Sequence, residues 1–172
     1  LDRARGLLLS GDQVIPIITS NVSVMAMEPE ANPMAAWLDS HRRFLGLPDD
    51  VLVLPAHNTP FTGLHARLRA LIAHHEDHLE ALEEACTRPQ TAMELLPVLF
   101  RRPLDGDHLS MALGECIAHL NLLRSRGVLA RERGADGLNR YRSLHREGSP
   151  RETLARHGRD DDPLMEFEAE PI

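Results

Sequence analysis

The sequence predicts an α/β fold that passes into a mostly helical region, on three observations. Two short apolar runs, residues 6–9 and 51–54, each stop at a breaker followed by a polar side chain. Longer stretches carry apolar residues at helical spacing. Near the end, two short alternating segments flank a Gly-rich turn. The chain has 172 residues, 42% hydrophobic and 26% charged, which suits one good-sized domain or two small ones and excludes a fibrous or wholly disordered protein.

Gly6-Leu7-Leu8-Leu9-Ser10-Gly11-Asp12 has the pattern of a buried strand whose end delivers a carboxylate into a loop. Asn21-Val22-Ser23-Val24 reads as a loop or strand flanking that site. Asn32-Pro33 opens a helix over about 33–45, with Asn32 as cap and Pro in the first turn. Pro48-Asp49-Asp50 turns the chain into a second buried strand, 51–54, which ends in Pro55-Ala56-His57. Strand, loop, helix, strand, with a polar side chain after each strand, is α/β logic, in which sites collect at strand ends.

From 63 to about 85, Leu64, Leu68, Leu71, Ile72, Leu79 and Leu82 recur at helical spacing among charged residues and His, which predicts one long amphipathic helix. Thr87-Arg88-Pro89 ends it. Thr91 and Glu94 then form a capping box for a short helix through Leu99. A further helix starts near Asp107, with Leu109, Leu113, Ile117, Leu120 and Leu123 along one face, and closes at Arg126-Gly127. Residues 128–132 and 138–142 around Gly134-Ala135-Asp136-Gly137 make a β-hairpin. Helix, helix and hairpin in that order is a winged-helix arrangement. After Gly148-Ser149-Pro150 periodicity is lost: residues 151–172 hold three Arg against seven acidic residues, the composition of a solvated, disordered tail.

The whole chain carries a formal charge of −7, and all 19 of its basic residues are Arg. That balance argues against bulk electrostatic binding to nucleic acid or to an anionic membrane. Cys86 and Cys116 stand far apart with no metal-binding spacing, so both are expected to be reduced core residues. No apolar run approaches the ~20 residues that span a bilayer, and no secretory signal is recognisable at the start, so a cytoplasmic location is expected.

Asp12 and His57 are the residues singled out for chemistry. A carboxylate and an imidazole presented at the ends of buried strands can converge as ligands of zinc, manganese or iron. By spacing alone, each is more often a turn or loop residue than a ligand. The sequence around them says more. G-D-Q-V-I-P-I-I-T-S-N-V-S-V and L-P-A-H-N-T-P-F-T-G-L-H-A-R-L resemble the last two metal-site motifs of the metallo-β-lactamase-fold hydrolases, and the resemblance runs from about Gly6 to Tyr141. Within that superfamily the chain is similar to the glyoxalase II and β-lactamase-like protein 2 groups, the latter also through the winged-helix segment at 91–142.

The resemblance implies that Asp12 is the carboxylate bridging two metal ions and that His57 is the last histidine ligand of the second. It implies a centre of two divalent ions, zinc being expected, where a metal-bound hydroxide cleaves an ester, thioester or related bond of a small-molecule substrate. The signature H-x-H-x-D-H of the family is missing, and the eleven residues before Asp12 leave no room for it. The expected architecture is therefore the C-terminal part of an αββα sandwich over 1–62, a long helix and winged-helix domain over 63–148, and an acidic tail over 149–172. Two ligands fall short of the three that a zinc site takes, so the chain by itself is expected to be inactive.

His65 follows the His57 loop closely enough to be a substrate-side candidate. His74 and His78 share a helical face as two metal ligands would, but no Glu occupies the H-E-x-x-H position, and a solvated face is the better reading for His74, His75 and His78. His41, His108, His119, His145 and His157 have no partner by spacing. From Arg124 to Arg146 seven Arg stand against two acidic residues, a possible nucleic-acid footprint on a wing. The preceding helix has almost no positive charge, which favours a structural or substrate-flanking role. The alternative to a hydrolase is a non-catalytic winged-helix module that binds nucleic acid or a protein partner. Self-association into a homo-oligomer is compatible with either.

Overall fold

The computed structural model describes residues 1–101 and 103–145, with the side chain of Asp107 left aside. The acidic segment 149–172 and His157 lie outside the described residues. The elements run β1 (Leu7–Gly11), α1 (Pro33–Phe44), β2 (Leu52–Pro55), α2 (Leu64–Ala85), α3 (Ala92–Leu99), α4 (Gly106–Ser125), β3 (Leu129–Arg133) and β4 (Asn139–Ser143). A mixed α/β architecture is what the apolar patterning predicts. Among the described residues the chain divides into two compact units, one built from 1–20 and 38–75, the other from 21–37 and 76–145.

In the first unit β1 and β2 pair in parallel, Leu7 opposite Leu52, Leu8 opposite Val53 and Leu9 opposite Leu54. Parallel neighbours cannot be joined by a hairpin, and the connection between these two carries α1. The register shifts between Leu9 and Gly11, so Gly11 faces Pro55. Pairing continues one step further, with the Ala56 amide donating to the Gly11 carbonyl at 3.0 Å. The chain after β2 folds back on it: Val53 and Phe61 exchange backbone hydrogen bonds of 2.8 and 3.1 Å. Leu8, Val53, Phe61, Leu64, Leu68 and Leu71 are buried and form the apolar interior that α2 and the strands share.

The second unit holds α3, α4 and the antiparallel β3–β4 hairpin, paired from Leu129–Ser143 to Arg133–Asn139. Thr91 caps α3 as expected: its hydroxyl accepts from the Glu94 amide at 3.3 Å, and the Glu94 carboxylate accepts from the Thr91 amide at 2.8 Å. Gly127, at φ +71°, ends α4 in the left-handed conformation, and the Val128 amide returns to the Leu123 carbonyl at 2.9 Å. Tyr141 of β4 exchanges hydrogen bonds of 2.7 and 3.0 Å with Gln90, tying the hairpin to the α3 entrance. The 21–24 segment is a loop rather than a strand. It lies on α4, where Val24 donates to the Gly114 carbonyl and a Cβ at Gly114 would meet the Ser23 Cβ at 2.9 Å. Cys86 and Cys116 are free and buried, and burial pushes their thiols up to about 11 and about 12. No described helix is long and apolar enough to cross a membrane.

Candidate functional site

Two parallel strands put their carboxyl ends at the same edge, and that is where Asp12 and His57 meet. His57 Nδ1 donates to Asp12 Oδ1 at 2.6 Å. Both side chains are open to solvent, 63% and 58% exposed for His57 and Asp12 respectively. Unusual backbone next to each residue turns it off its strand. Gly11 sits at φ +57° directly before Asp12, and Asn58 at φ +67° directly after His57. With its proton on Nδ1 toward the carboxylate, the imidazole carries its lone pair on Nε2, the arrangement in which a carboxylate orients a ligating histidine.

The loop after Asp12 is held from inside the unit. Arg67 of α2 is fully buried and donates from Nε to the Ile15 carbonyl at 2.7 Å and from Nη2 to the Ile18 carbonyl at 2.8 Å. Gln13 donates its side-chain amide to His41 Nδ1 at 3.2 Å, and His41 is fully buried on α1. Ser10 Oγ donates to the Val14 carbonyl at 2.8 Å, and the Ser20 hydroxyl donates to the Asp12 carbonyl. Sequence reasoning passed over Arg67 and gave His41 no partner. A charged residue at an apolar-facing position of α2 was the available signal for Arg67, since a buried guanidinium must find carbonyl partners. Nothing in the spacing could have pointed to Gln13 as the partner of His41.

His65 is placed at the start of α2, where its amide donates to Asp49 Oδ1 at 2.6 Å and its Nε2 donates to the Leu47 carbonyl at 2.8 Å. Its ring is engaged with the turn before β2. The solvated-face reading of the α2 histidines fails for His75, which is fully buried in the first unit with its ring 5.2 Å from that of His74. In the second unit the His78 ring stands 5.7 Å from that of buried His119 of α4, a helix-to-helix neighbour that spacing along one helix cannot show.

The second unit also buries Glu115, one helical turn before His119, with Asn21 Nδ2 donating to its carboxylate at 3.1 Å. Burial raises the Glu115 carboxyl to about 7, against the smaller downward pull of Asn21. Among the described residues of the hairpin region, Arg124 and Arg131 share Glu30, Arg126 pairs with Glu76, and Arg140 with Asp136.

Residues 79–144 match the family described as metallo-β-lactamase-like, C-terminal domain. No curated protein matches the sequence. Two solved structures are similar in both sequence and backbone. A β-lactamase domain protein from Burkholderia ambifaria is 48% identical, with a TM-score of 0.80 over 82% of this chain and 42% of that one. A metallo-β-lactamase family protein from Thermus thermophilus is 33% identical, with a TM-score of 0.69 over 81% of this chain and 42% of that one. The chain thus spans less than half the length of either relative. On sequence and backbone together, it belongs with the C-terminal part of the metallo-β-lactamase-fold proteins.

Proposed function

We propose that the chain supplies two ligands, Asp12 and His57, to a divalent-metal centre, with a pair of zinc ions expected, in a cytoplasmic hydrolase that cleaves an ester, thioester or related bond of a small-molecule substrate. One observation carries the reading: the carboxylate and the imidazole meet at 2.6 Å on the shared edge of two parallel strands, open to solvent. Their donor chemistry fits zinc and other divalent ions, one oxygen and one nitrogen ligand. Their number does not close a site, because zinc takes at least three protein ligands. We therefore read this chain alone as inactive.

When bound, such ions supply Lewis acidity to the substrate and ease deprotonation of water. What the chain contributes is a carboxylate and an imidazole held in fixed relation by Gly11, Asn58 and the Arg67-braced loop. The Asp12 carboxylate and the His57 Nε2 lone pair, both open to solvent, are the donors that would hold such an ion. The helices and hairpin of the second unit are read as a winged helix. Ion pairing engages Arg124, Arg126, Arg131 and Arg140 with three carboxylates, and α4 before the hairpin carries almost no positive charge, which favours the hydrolase over the binding-module alternative.

A graft tests this reading. The chain would replace the matching 42% of the Burkholderia ambifaria protein, and zinc content and ester or thioester hydrolysis would be measured. The graft should hold zinc and hydrolyse, D12N and H57A grafts should lose at least a hundredfold in rate with unchanged melting temperature, and the ungrafted chain should do neither. Stoichiometric zinc and hydrolysis by the ungrafted chain, or full activity in the D12N graft, would overturn it.

A further inference from the structure

A cavity of about 390 Å3 opens in the second unit, between the loop at 29–32, the last turn of α4 and β3. Its volume falls within the roughly 300–1,000 Å3 of small-molecule sites. The walls are braced by hydrogen bonds. Asn121 donates to the Pro29 and Ala31 carbonyls at 2.9 Å each, which fixes the loop against α4. Asn32 donates to Ser125 Oγ at 2.9 Å, and Ser125 in turn to the Leu122 carbonyl at 2.8 Å. Two guanidiniums face this frame, and both are positioned from behind. Arg124 donates to Asn121 Oδ1 at 3.2 Å, and Arg131 of β3 lies opposite buried Tyr141 of β4 in the hairpin register.

One side chain on the lining differs from the rest. Glu30 bridges both guanidiniums, its Oε1 2.7 Å from Arg131 Nη1 and its Oε2 3.2 Å from Arg124 Nη1. It is 61% exposed, whereas the arginines it joins are only 27% and 22% exposed for Arg124 and Arg131. The carboxylate is therefore the solvent-facing partner, and the two guanidiniums are the more enclosed ones. Exposed ion pairs are weak, so moving Glu30 aside costs little. With the Glu30 carboxylate moved aside, the cavity holds two positive charges, which a dianion would balance. Guanidinium pairs also match the several acceptor oxygens of a tetrahedral oxyanion better than a lone ammonium would.

We propose that this cavity binds the phosphate group of a small organic phosphate, whose oxygens take the place of the Glu30 carboxylate between Arg124 and Arg131. Glu30 then acts as a resident competitor that holds the two arginines in register until the ligand arrives. The site is separate from Asp12 and His57 and does not depend on the hydrolase reading. A concave cavity of this size selects a small molecule over an extended nucleic-acid backbone, whose phosphates would need a row of free cations.

The test titrates inorganic phosphate into the full chain and follows the arginine side-chain N–H signals by nuclear magnetic resonance. Saturable shifts should appear at Arg124 and Arg131, with acetate at matched ionic strength giving much weaker ones. E30Q, which removes the competitor at an exposed position, should bind phosphate about five- to tenfold more tightly. R131Q, with folding confirmed by circular dichroism, should lose the saturable response. If E30Q leaves phosphate affinity unchanged or weaker, if R131Q keeps the wild-type titration, or if acetate matches phosphate, the proposal is overturned.

Discussion

Each unit holds a carboxylate and an imidazole close together, and the two pairs have opposite characters. Asp12 and His57 come from strands 45 residues apart, meet through their side chains at 2.6 Å and face solvent. Glu115 and His119 sit one turn apart on α4, are buried, and turn to other partners: Glu115 to Asn21, and His119 Nδ1 to the Glu115 backbone carbonyl at 2.9 Å. Residue type is therefore no guide to chemistry here. Access is. An ion or substrate can reach the first pair, and changing it should touch function while sparing stability. The second pair is part of the packed interior, where the same residue types bear on folding.

If that contrast holds, the exposed pair must borrow its rigidity from buried groups of its own unit, and Arg67 is the sharpest place to break it. Arg67→Ala removes two charge-assisted hydrogen bonds to the Ile15 and Ile18 carbonyls, leaves both carbonyls without those donors and empties a fully buried site. At roughly 1.5–3 kcal/mol for a bond to a charged group, the loss should be about 4 kcal/mol, measured by urea unfolding. A loss under about 1 kcal/mol would mean that the 12–20 loop is held elsewhere.

The second unit offers the next largest effect, through pH. Burial raises the Glu115 carboxyl from the ordinary 4.5 to about 7. Between those values the folded chain keeps a proton that the unfolded chain has released, so stability falls as pH rises through this window and levels off above it. At about 1.4 kcal/mol per pH unit the ceiling is ~3 kcal/mol. Glu115→Gln stays neutral throughout. It should flatten the slope and be more stable than wild type at pH 8, by up to that amount, with little difference at pH 4.5. Equal urea midpoints for the two proteins at pH 8 would show that Glu115 ionises there without cost, as an exposed carboxylate would.

The two units also differ in how much of each was legible in the sequence. Local signals were read well in both, because their cause is local: Asn32-Pro33 opens α1, Gly127 closes α4, and apolar spacing sets α2. The meeting of Asp12 and His57 was legible through the resemblance of the motifs around them, since spacing alone left each a turn or loop residue; the physical cause is the parallel pairing that brings the two strand ends together. What supports and surrounds these residues was not. The bond from Arg67 to Ile15 spans 52 residues and that from Asn121 to Pro29 spans 92. Such contacts depend on how elements pack, and no periodicity encodes them. His75 shows the same limit from the other side, since a histidine among charged neighbours read as solvated and is buried.

The smallest effect belongs to the most local device, and it tests whether locality limits energy as it aids legibility. Thr91 and Glu94 close their capping box within four residues at the surface of the second unit. Thr91→Ala removes the hydroxyl that accepts the Glu94 amide, while the Glu94 carboxylate can still accept from the backbone amide of residue 91. Caps of this kind contribute typically ~1 kcal/mol. The expected loss is about 1 kcal/mol, a quarter of that at Arg67, with Thr91→Ser close to wild type. A loss at Thr91 as large as that at Arg67 would mean that α3 nucleates the hairpin through the Gln90–Tyr141 bridge beside it, and that local and long-range contacts in this unit form one cooperative block.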